Sequence, residues 1–159
     1  MDGNILQVIK DAAIGLLKNH DQGVEVYAEE IMRTQAMMES GDGEELPWYF
    51  VEVVPTSFTT AGPGLTEAAL TVTVDYYDPE ESIRQYGEKA IALDAVFRPV
   101  FRFSYGGERR AVTVARVGTS ISGGLLHLTF PLTFLVSDGD GEELPAMEGL
   151  TVNIKEGGS

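Results

Sequence analysis

Hydrophobic and polar side chains alternate along residues 69–78, which read A-L-T-V-T-V-D-Y-Y-D. A period of two is typical of a β-strand with one buried face. The side chains predicted to face the core are Leu70, Val72, Val74 and Tyr76, and those predicted to face away are Thr71, Thr73, Asp75 and Tyr77. The segment therefore predicts a strand in a sheet that is covered on one side.

Two other segments repeat their apolar residues every three or four positions, which indicates amphipathic helices. The first helix is predicted over residues 4–19, with a stripe formed by Ile5, Ile9, Ala12 and Leu16, and with Leu6, Ala13 and Leu17 beside it. The second has a stripe formed by Ile83, Tyr86, Ala90, Leu93 and Phe97. We predict that Asp78 is its N-cap, with Pro79 at the first helical position and Glu81 as the capping-box acid. The pair Arg98-Pro99 is predicted to end it.

The remaining apolar runs predict strands that pair as hairpins. Short strands are expected at residues 24–27 and 100–105, and longer ones at 48–58, 110–119 and 125–136. Pro55 cannot donate to a ladder, so it is expected at an edge or a bulge. The fold class predicted is α+β, with a mainly antiparallel sheet built from two hairpins and an N-terminal and a central helix packed on one face.

An exact repeat, G-D-G-E-E-L-P, occurs at Gly41–Pro47 and at Gly139–Pro145. Its acids are Asp42, Glu44, Glu45, Asp140, Glu142 and Glu143. Neither copy has the twelve-position spacing of an EF-hand, so we predict solvated acidic loops, with interaction loops as the second interpretation and no metal site. We divide the chain into one domain at 1–137 and an extension at 138–159, in which Leu150–Ile154 is a candidate for a short strand.

Composition limits the function classes. The 159 residues are 43% hydrophobic, which fits one globular domain, and no run approaches the roughly 20 apolar residues of a membrane-spanning helix. The start Met1-Asp2-Gly3-Asn4 predicts no secretory signal. The absence of cysteine excludes disulfides and thiolate catalysis. Eleven basic and 25 acidic residues give a net charge of −14, which excludes a tight phosphate-binding groove and favours solubility, or a surface that DNA passes without binding.

The catalytic inventory is small. His20 and His127 are the two histidines, and no motif couples either one to a serine or a carboxylate. Glu80 and Glu81 are explained by the dipole at a helix start. The sequence therefore predicts a protein that is not an enzyme and has no cofactor, and His127 is interpreted as a surface or subunit-contact residue.

Three segments carry a resemblance to a known family: Leu46–Val51, Leu70–Tyr77 and Gly124–Leu128. Their order resembles the small tail terminator proteins of tailed bacteriophages and related prophages. In that family a proline and aromatics open one strand, a strand ending in aromatic residues precedes the central helix, and a Gly-Leu-His-like turn enters the final strand. The resemblance covers roughly residues 4–137 and departs at the acidic segment 40–45 and beyond Ser137.

The resemblance implies an assembly role. Such proteins form a six-membered ring that ends the tail tube and presents a surface to the head-side connector, so the implied partners are further copies of the chain, the tail tube protein and the connector, with DNA passing unbound and no membrane. The implied location is the virion tail or neck, after assembly in the host cytoplasm. The candidate subunit or tube contacts are Trp48, Tyr49, Tyr76, Tyr77, His127, Arg109 and Arg110. Burial within the monomer is the alternative for the aromatic residues, and the acidic loops are candidates to face the lumen or a partner.

Two other interpretations stay open at this point. One is a different part of the same machine, namely a neck, head-closure or tail tube protein, since these share small α+β folds and acidic surfaces. The other is a small-molecule-binding or hydrolytic domain that uses an acidic loop and His127.

Overall fold

Two helices and seven strands make up the part of the chain that the computed structural model describes, which is residues 4–29 and 46–137. The helices are α1 (Asn4–His20) and α2 (Ile83–Phe97). The strands are β1 (Glu25–Tyr27), β2 (Trp48–Gly62), β3 (Leu65–Tyr77), β4 (Val100–Tyr105), β5 (Glu108–Thr113), β6 (Gly118–Ser122) and β7 (Leu125–Ser137). The fold is α+β with a mainly antiparallel sheet, which confirms the predicted class.

The strands form a five-stranded sheet in the order β1-β2-β3-β7-β6 and a separate pair, β4-β5. Strand β1 runs parallel to β2, and the other neighbours are antiparallel. The prediction of one strand over 110–119 was wrong, because the chain leaves β5 at Thr113 and enters the larger sheet at Gly118. The amide of Val114 donates to the carbonyl of Pro99 at 2.7 Å, beyond the end of the β4–β5 ladder. The apolar pattern continues through this change of sheet, so periodicity alone could not reveal it.

The alternation in β3 is confirmed by burial. The predicted inward set is buried and the predicted outward set is half-buried. Strand β7 has the same pattern, with Leu126, Leu128, Phe130, Leu132, Phe134 and Val136 buried. These side chains form one hydrophobic core with Ile5, Ile9, Ala13 and Leu17 of α1 and Tyr86, Leu93 and Phe97 of α2. Both helices therefore contribute to the core on the inward face of the sheet, as predicted.

Strand β2 is longer than predicted and projects beyond the core. A register shift lies between Pro55 and Ser57, so Pro55 marks a bulge. Residues 54–61 of β2 are exposed, and Gly62 is half-buried. This part of the strand is therefore held by its backbone pairing with β3 and not by burial of its own side chains. Gly64, with a φ of 67°, closes the turn into β3.

Helix α2 begins later than the sequence indicates, and the prediction of Asp78 as N-cap was wrong. The N-cap is Ser82, whose hydroxyl accepts from the Gln85 amide, while the Gln85 side chain accepts from the Ser82 amide. Asp78 instead holds the preceding turn, because its carboxylate accepts from the Glu80 amide at 3.0 Å. Two overlapping cap sequences compete here, and both Asp78 and Glu81 precede the helix, with the Tyr76 hydroxyl 3.2 Å and 3.1 Å from their carboxylate oxygens.

Replacing Ser82 with alanine is expected to lower the free energy of unfolding by about 1 kcal/mol, because the Gln85 amide loses its acceptor. Urea denaturation followed by circular dichroism measures this loss. Ser104→Ala, at an exposed position of β4, is the matched control and should change stability far less. Equal losses for the two variants would contradict the assignment of Ser82 as the cap.

Candidate assembly surfaces

One edge of the five-stranded sheet belongs to β2. Strand β1 covers only Trp48–Phe50, so residues 51–62 of β2 have no strand partner on that side within the described chain. Two apolar side chains are exposed on this projecting strand, Val54 and Phe58, and the Phe58 side chain is 55% exposed. An unpaired strand edge with exposed apolar residues is a template for pairing with another chain.

The opposite edge belongs to β6, which pairs only with β7 among the described strands. Between β6 and α2 lies a groove with a volume of about 650 Å³. Its walls include Gly87, Ala90 and Ile91 from α2 and Val117, Thr119 and Ile121 from the β6 side. Ile91 is 74% exposed and Ile121 is 38% exposed, so both edges of the sheet present apolar side chains to solvent.

Helix α2 has apolar residues on two faces. Tyr86, Leu93 and Phe97 are buried, whereas Ile83 and Ile91, on either side of Gly87 at four-residue intervals, form an outward stripe. The prediction placed Ile83 in the buried stripe, but it is 75% exposed, because the helix starts only at this residue. The sequence signal that could have revealed the groove is that α2 has more isoleucines than one buried stripe needs. The sequence prediction did not consider Ile91.

Charge is segregated along the chain between these two edges. Residues 48–77, which form the β2–β3 hairpin, contain three acidic residues and no lysine or arginine. Residues 84–116 contain seven of the eleven basic residues and only three acidic ones, although the chain as a whole is strongly acidic. The β2–β3 hairpin is therefore negative, and the segment 84–116, which includes α2, is positive.

Of the predicted contact residues, Tyr49 and Tyr76 lie inside the subunit, so the structure shows the monomer-core alternative for both. Their ring centroids are 4.8 Å apart, and the Lys89 ammonium lies 4.7 Å from the centroid of Tyr76. Asp21 accepts a hydrogen bond from the Tyr49 hydroxyl and pairs with Lys89. Tyr49 and Tyr76 are thus members of an internal polar cluster, which we call the Lys89 cluster, defined as Asp21, Tyr49, Tyr76, Glu81 and Lys89.

The ionisation of the Lys89 cluster follows from its burial. Desolvation raises the pKa of Tyr49 and of Tyr76, and the neighbouring carboxylates raise both further, so these phenols stay neutral donors. Burial would raise the pKa of Asp21, but hydrogen bonds from Lys89 and Tyr49 and the Lys89 charge hold it below its ordinary value. Burial and Asp78 raise the pKa of Glu81, against the hydrogen bond from Tyr76 and the charge of Lys89.

Trp48 and Tyr77 lie on the outward face of the sheet, opposite each other in the β2–β3 register. Trp48 is buried, Tyr77 is half-buried, and their ring centroids are 5.5 Å apart. Tyr27 of β1 meets Trp48 edge to face at 6.4 Å. These rings form an aromatic cluster at one end of the outward face.

His127 is half-buried on the outward face and has two partners. Its Nδ1 lies 2.7 Å from a carboxylate oxygen of Asp75, and its Nε2 lies 3.2 Å from the carbonyl oxygen of Ser122. Asp75 faces it directly across the β3–β7 ladder, a coupling that sequence spacing did not reveal. These contacts link the β6–β7 turn to β3.

The two adjacent arginines have different environments. Arg110 donates to the carbonyl of Leu135, and its guanidinium lies 5.7 Å from the centroid of Phe134, so it fastens the small β4–β5 sheet to β7. Arg109 is exposed. Arg109 is accordingly the member of the pair that is accessible to a partner.

The six acids of the repeated loops, Asp42, Glu44, Glu45, Asp140, Glu142 and Glu143, lie outside the described residues, and so does the extension 138–159. Within residues 4–29 and 46–137, no group of three or more histidine, aspartate or glutamate side chains could hold a metal ion. Neither α1 nor α2 has the length and apolar character needed to cross a membrane.

The structure thus defines an α+β protein with two exposed, unlike sheet edges. No protein-family profile and no curated protein matches the chain. One similar solved structure, of a protein known only by a serial designation, is 16% identical, covers 81% of this chain and 87% of its own, and superimposes with a TM-score of 0.40. No function follows from that similarity.

Proposed function

We propose that this protein is a bacteriophage tail terminator, a structural subunit that forms a ring at the head-proximal end of the tail tube. In this role it stops tube polymerisation and provides the joining surface for the head connector. The observation that supports an assembly role is the pair of unlike edges on opposite sides of one sheet.

The geometry of these edges favours a ring over a two-fold dimer. A two-fold interface places the same patch on both copies, whereas a head-to-tail interface joins two different patches and closes when the rotation between copies divides a full turn. Here the hairpin that supplies one edge has acidic and no basic residues, whereas the groove beside the other edge has a net positive lining, so charge favours joining the two unlike edges.

The assignment of this ring to a phage tail rests on the resemblance to tail terminator proteins. That resemblance implies six copies per ring, contacts to the tail tube protein and the connector, and a channel through which DNA passes without specific binding. The net charge of −14 supports the last of these roles, because a negative wall repels phosphates.

Deleting the gene for this chain from the phage or prophage genome that encodes it is expected to give tails of uncontrolled length. The physical reason is that an uncapped tube end continues to add subunits. Electron microscopy of the lysate measures the length distribution, and expression of the wild-type chain from a plasmid should restore a single length. Tails of normal length beside leaking heads would contradict a terminator and indicate a head-closure protein.

A further inference from the structure

We propose that the groove between α2 and β6 receives the Phe58 end of the β2–β3 hairpin of the next copy, with the β2 edge of that copy alongside β6. This inference rests on the proposed function, because it specifies how one subunit of a ring contacts the next. It assigns the role of receptor to Gly87, Ile91 and Ile121, and the role of insert to Phe58.

The apolar surfaces are complementary in position. Phe58 lies on the strand that projects beyond the core. Among the described residues it is the one aromatic residue whose side chain is exposed. The groove has room for an inserted side chain, and it is lined by Ile91 of α2 and Ile121 of β6. Aromatic anchors that fill a pocket on a partner typically dominate binding at an interface.

The backbones also complement each other. The outer edge of β6 and residues 51–62 of β2 both lack a strand partner within the described chain. A strand added to an exposed edge satisfies backbone donors and acceptors on both sides. These edges lie at opposite ends of the β1-β2-β3-β7-β6 order. Two subunits that pair through one edge of each therefore still have one free edge of each kind, to which further subunits can bind.

Charge favours the acidic hairpin as the occupant of the groove. Glu52 and Glu67 are exposed on the hairpin, which has no basic residue. The groove is lined by Arg98, which pairs with Asp94 at 2.7 Å, and by the exposed Arg116. Asp94 also lines the groove and offsets one of the two arginines, so the lining keeps one net positive charge, which attracts an acidic hairpin.

Gly87 provides a test that leaves the subunit intact. A Cβ at Gly87 would meet nothing within 4 Å, and the same is true of Gly15 on α1. Gly87→Gln therefore adds a side chain at the groove wall with open space around its Cβ, and Gly15→Gln is the matched control. We expect Gly87→Gln to weaken self-association by about tenfold or more and Gly15→Gln to leave it unchanged. Sedimentation velocity measures association, and circular dichroism checks that both variants are folded.

Engineered cysteines identify the contact directly, because the chain has no cysteine of its own. We expect a mixture of the Phe58→Cys and Ile121→Cys chains to form a covalent heterodimer on oxidation, and the double variant to form a ladder that ends at the ring. If the groove binds a small molecule and not a second copy of the chain, neither the heterodimer nor the ladder should form.

The outcomes separate this inference from the proposed function. Rings that form normally in Gly87→Gln, without the Phe58–Ile121 heterodimer, would overturn the inference and leave the ring function standing. A chain that stays monomeric, both alone and when mixed with purified tail tubes, would overturn both. Loss of association together with the heterodimer supports both.

Discussion

Replacing Phe130 with alanine is expected to lower the free energy of unfolding by about 3–5 kcal/mol, the largest effect of any single change considered for this protein. Phe130 is fully buried in β7, with ring centroids 5.0 Å from Phe97 and 5.9 Å from Phe101. It therefore joins α2, β4 and the main sheet, and its loss leaves a cavity where these three elements meet. Chemical denaturation monitored by circular dichroism measures the change.

Phe58→Ala is the matched control, since it removes the same side chain from an exposed position. Its effect on unfolding should stay within about 0.5 kcal/mol, while self-association should weaken if Phe58 is the insert of the ring contact. The two variants thus separate folding from assembly. A similar loss of stability in both variants would mean that the projecting strand contributes to the core, which would contradict the exposure of Phe58.

Replacing Lys89 with methionine is expected to lower the free energy of unfolding at neutral pH by about 1.5–3 kcal/mol. Methionine keeps the apolar length of the side chain but removes the ammonium that pairs with Asp21 and lies against Tyr49 and Tyr76. Asp21 and Glu81 would then be partly buried carboxylates without their cation. Breaking a charge pair in this way costs more than the pair itself contributes.

The pH dependence of that loss has a defined sign. The folded-state pKa of Asp21 is lowered, so its contribution is present above the ordinary value of 3.8 and disappears as the pH falls through the lower folded-state value. The pKa of Glu81 is raised, so its contribution is present below the ordinary value of 4.5 and disappears as the pH rises through the higher value. Lys89 favours the charged form of the Asp21 and Glu81 carboxyls. The difference in unfolding free energy between wild type and Lys89→Met should therefore become smaller as the pH falls and these two carboxyls become protonated.

Lys18→Met is the control for this series, because Lys18 is exposed at the end of α1. It should change the unfolding free energy little at any pH. Urea denaturation of the three proteins from neutral to acidic pH measures the comparison. A difference between wild type and Lys89→Met that stays constant over this range would show that the ammonium acts through packing rather than through charge.

Local pattern was sufficient for most elements. The alternation in β3 predicted four of its five buried side chains, all but Ala68, and the spacing of Ile5 and Ile9 predicted α1, because side-chain periodicity is set by the geometry of a single element. Pro55 was expected at an edge or bulge, and a bulge is what the register shows. The predicted start of α2 was wrong because Asp78 and Ser82 are both good caps, and in the folded chain it is Ser82 that forms the capping box, with Gln85.

The candidate surface could be predicted only in part. The sequence pointed to Trp48, Tyr49, Tyr76 and Tyr77, because aromatic residues are common at interfaces. The first three are buried in the subunit, since strands that are neighbours in the sheet place these rings against one another. Phe58 and Ile91 have the same chemistry as core residues, and nothing in their local sequence indicates that other elements fail to cover them.

By itself, the sequence determined the α+β class, most of the elements, the absence of cysteine chemistry and the excess of acidic residues. Only the tertiary structure decided that the chain changes sheets between Thr113 and Gly118, that Asp75 meets His127, and that two unlike edges stay open on opposite sides. The physical reason is that periodicity reports one element at a time. Which faces and edges remain exposed depends on how distant elements pack, and for this protein those edges carry the proposed assembly.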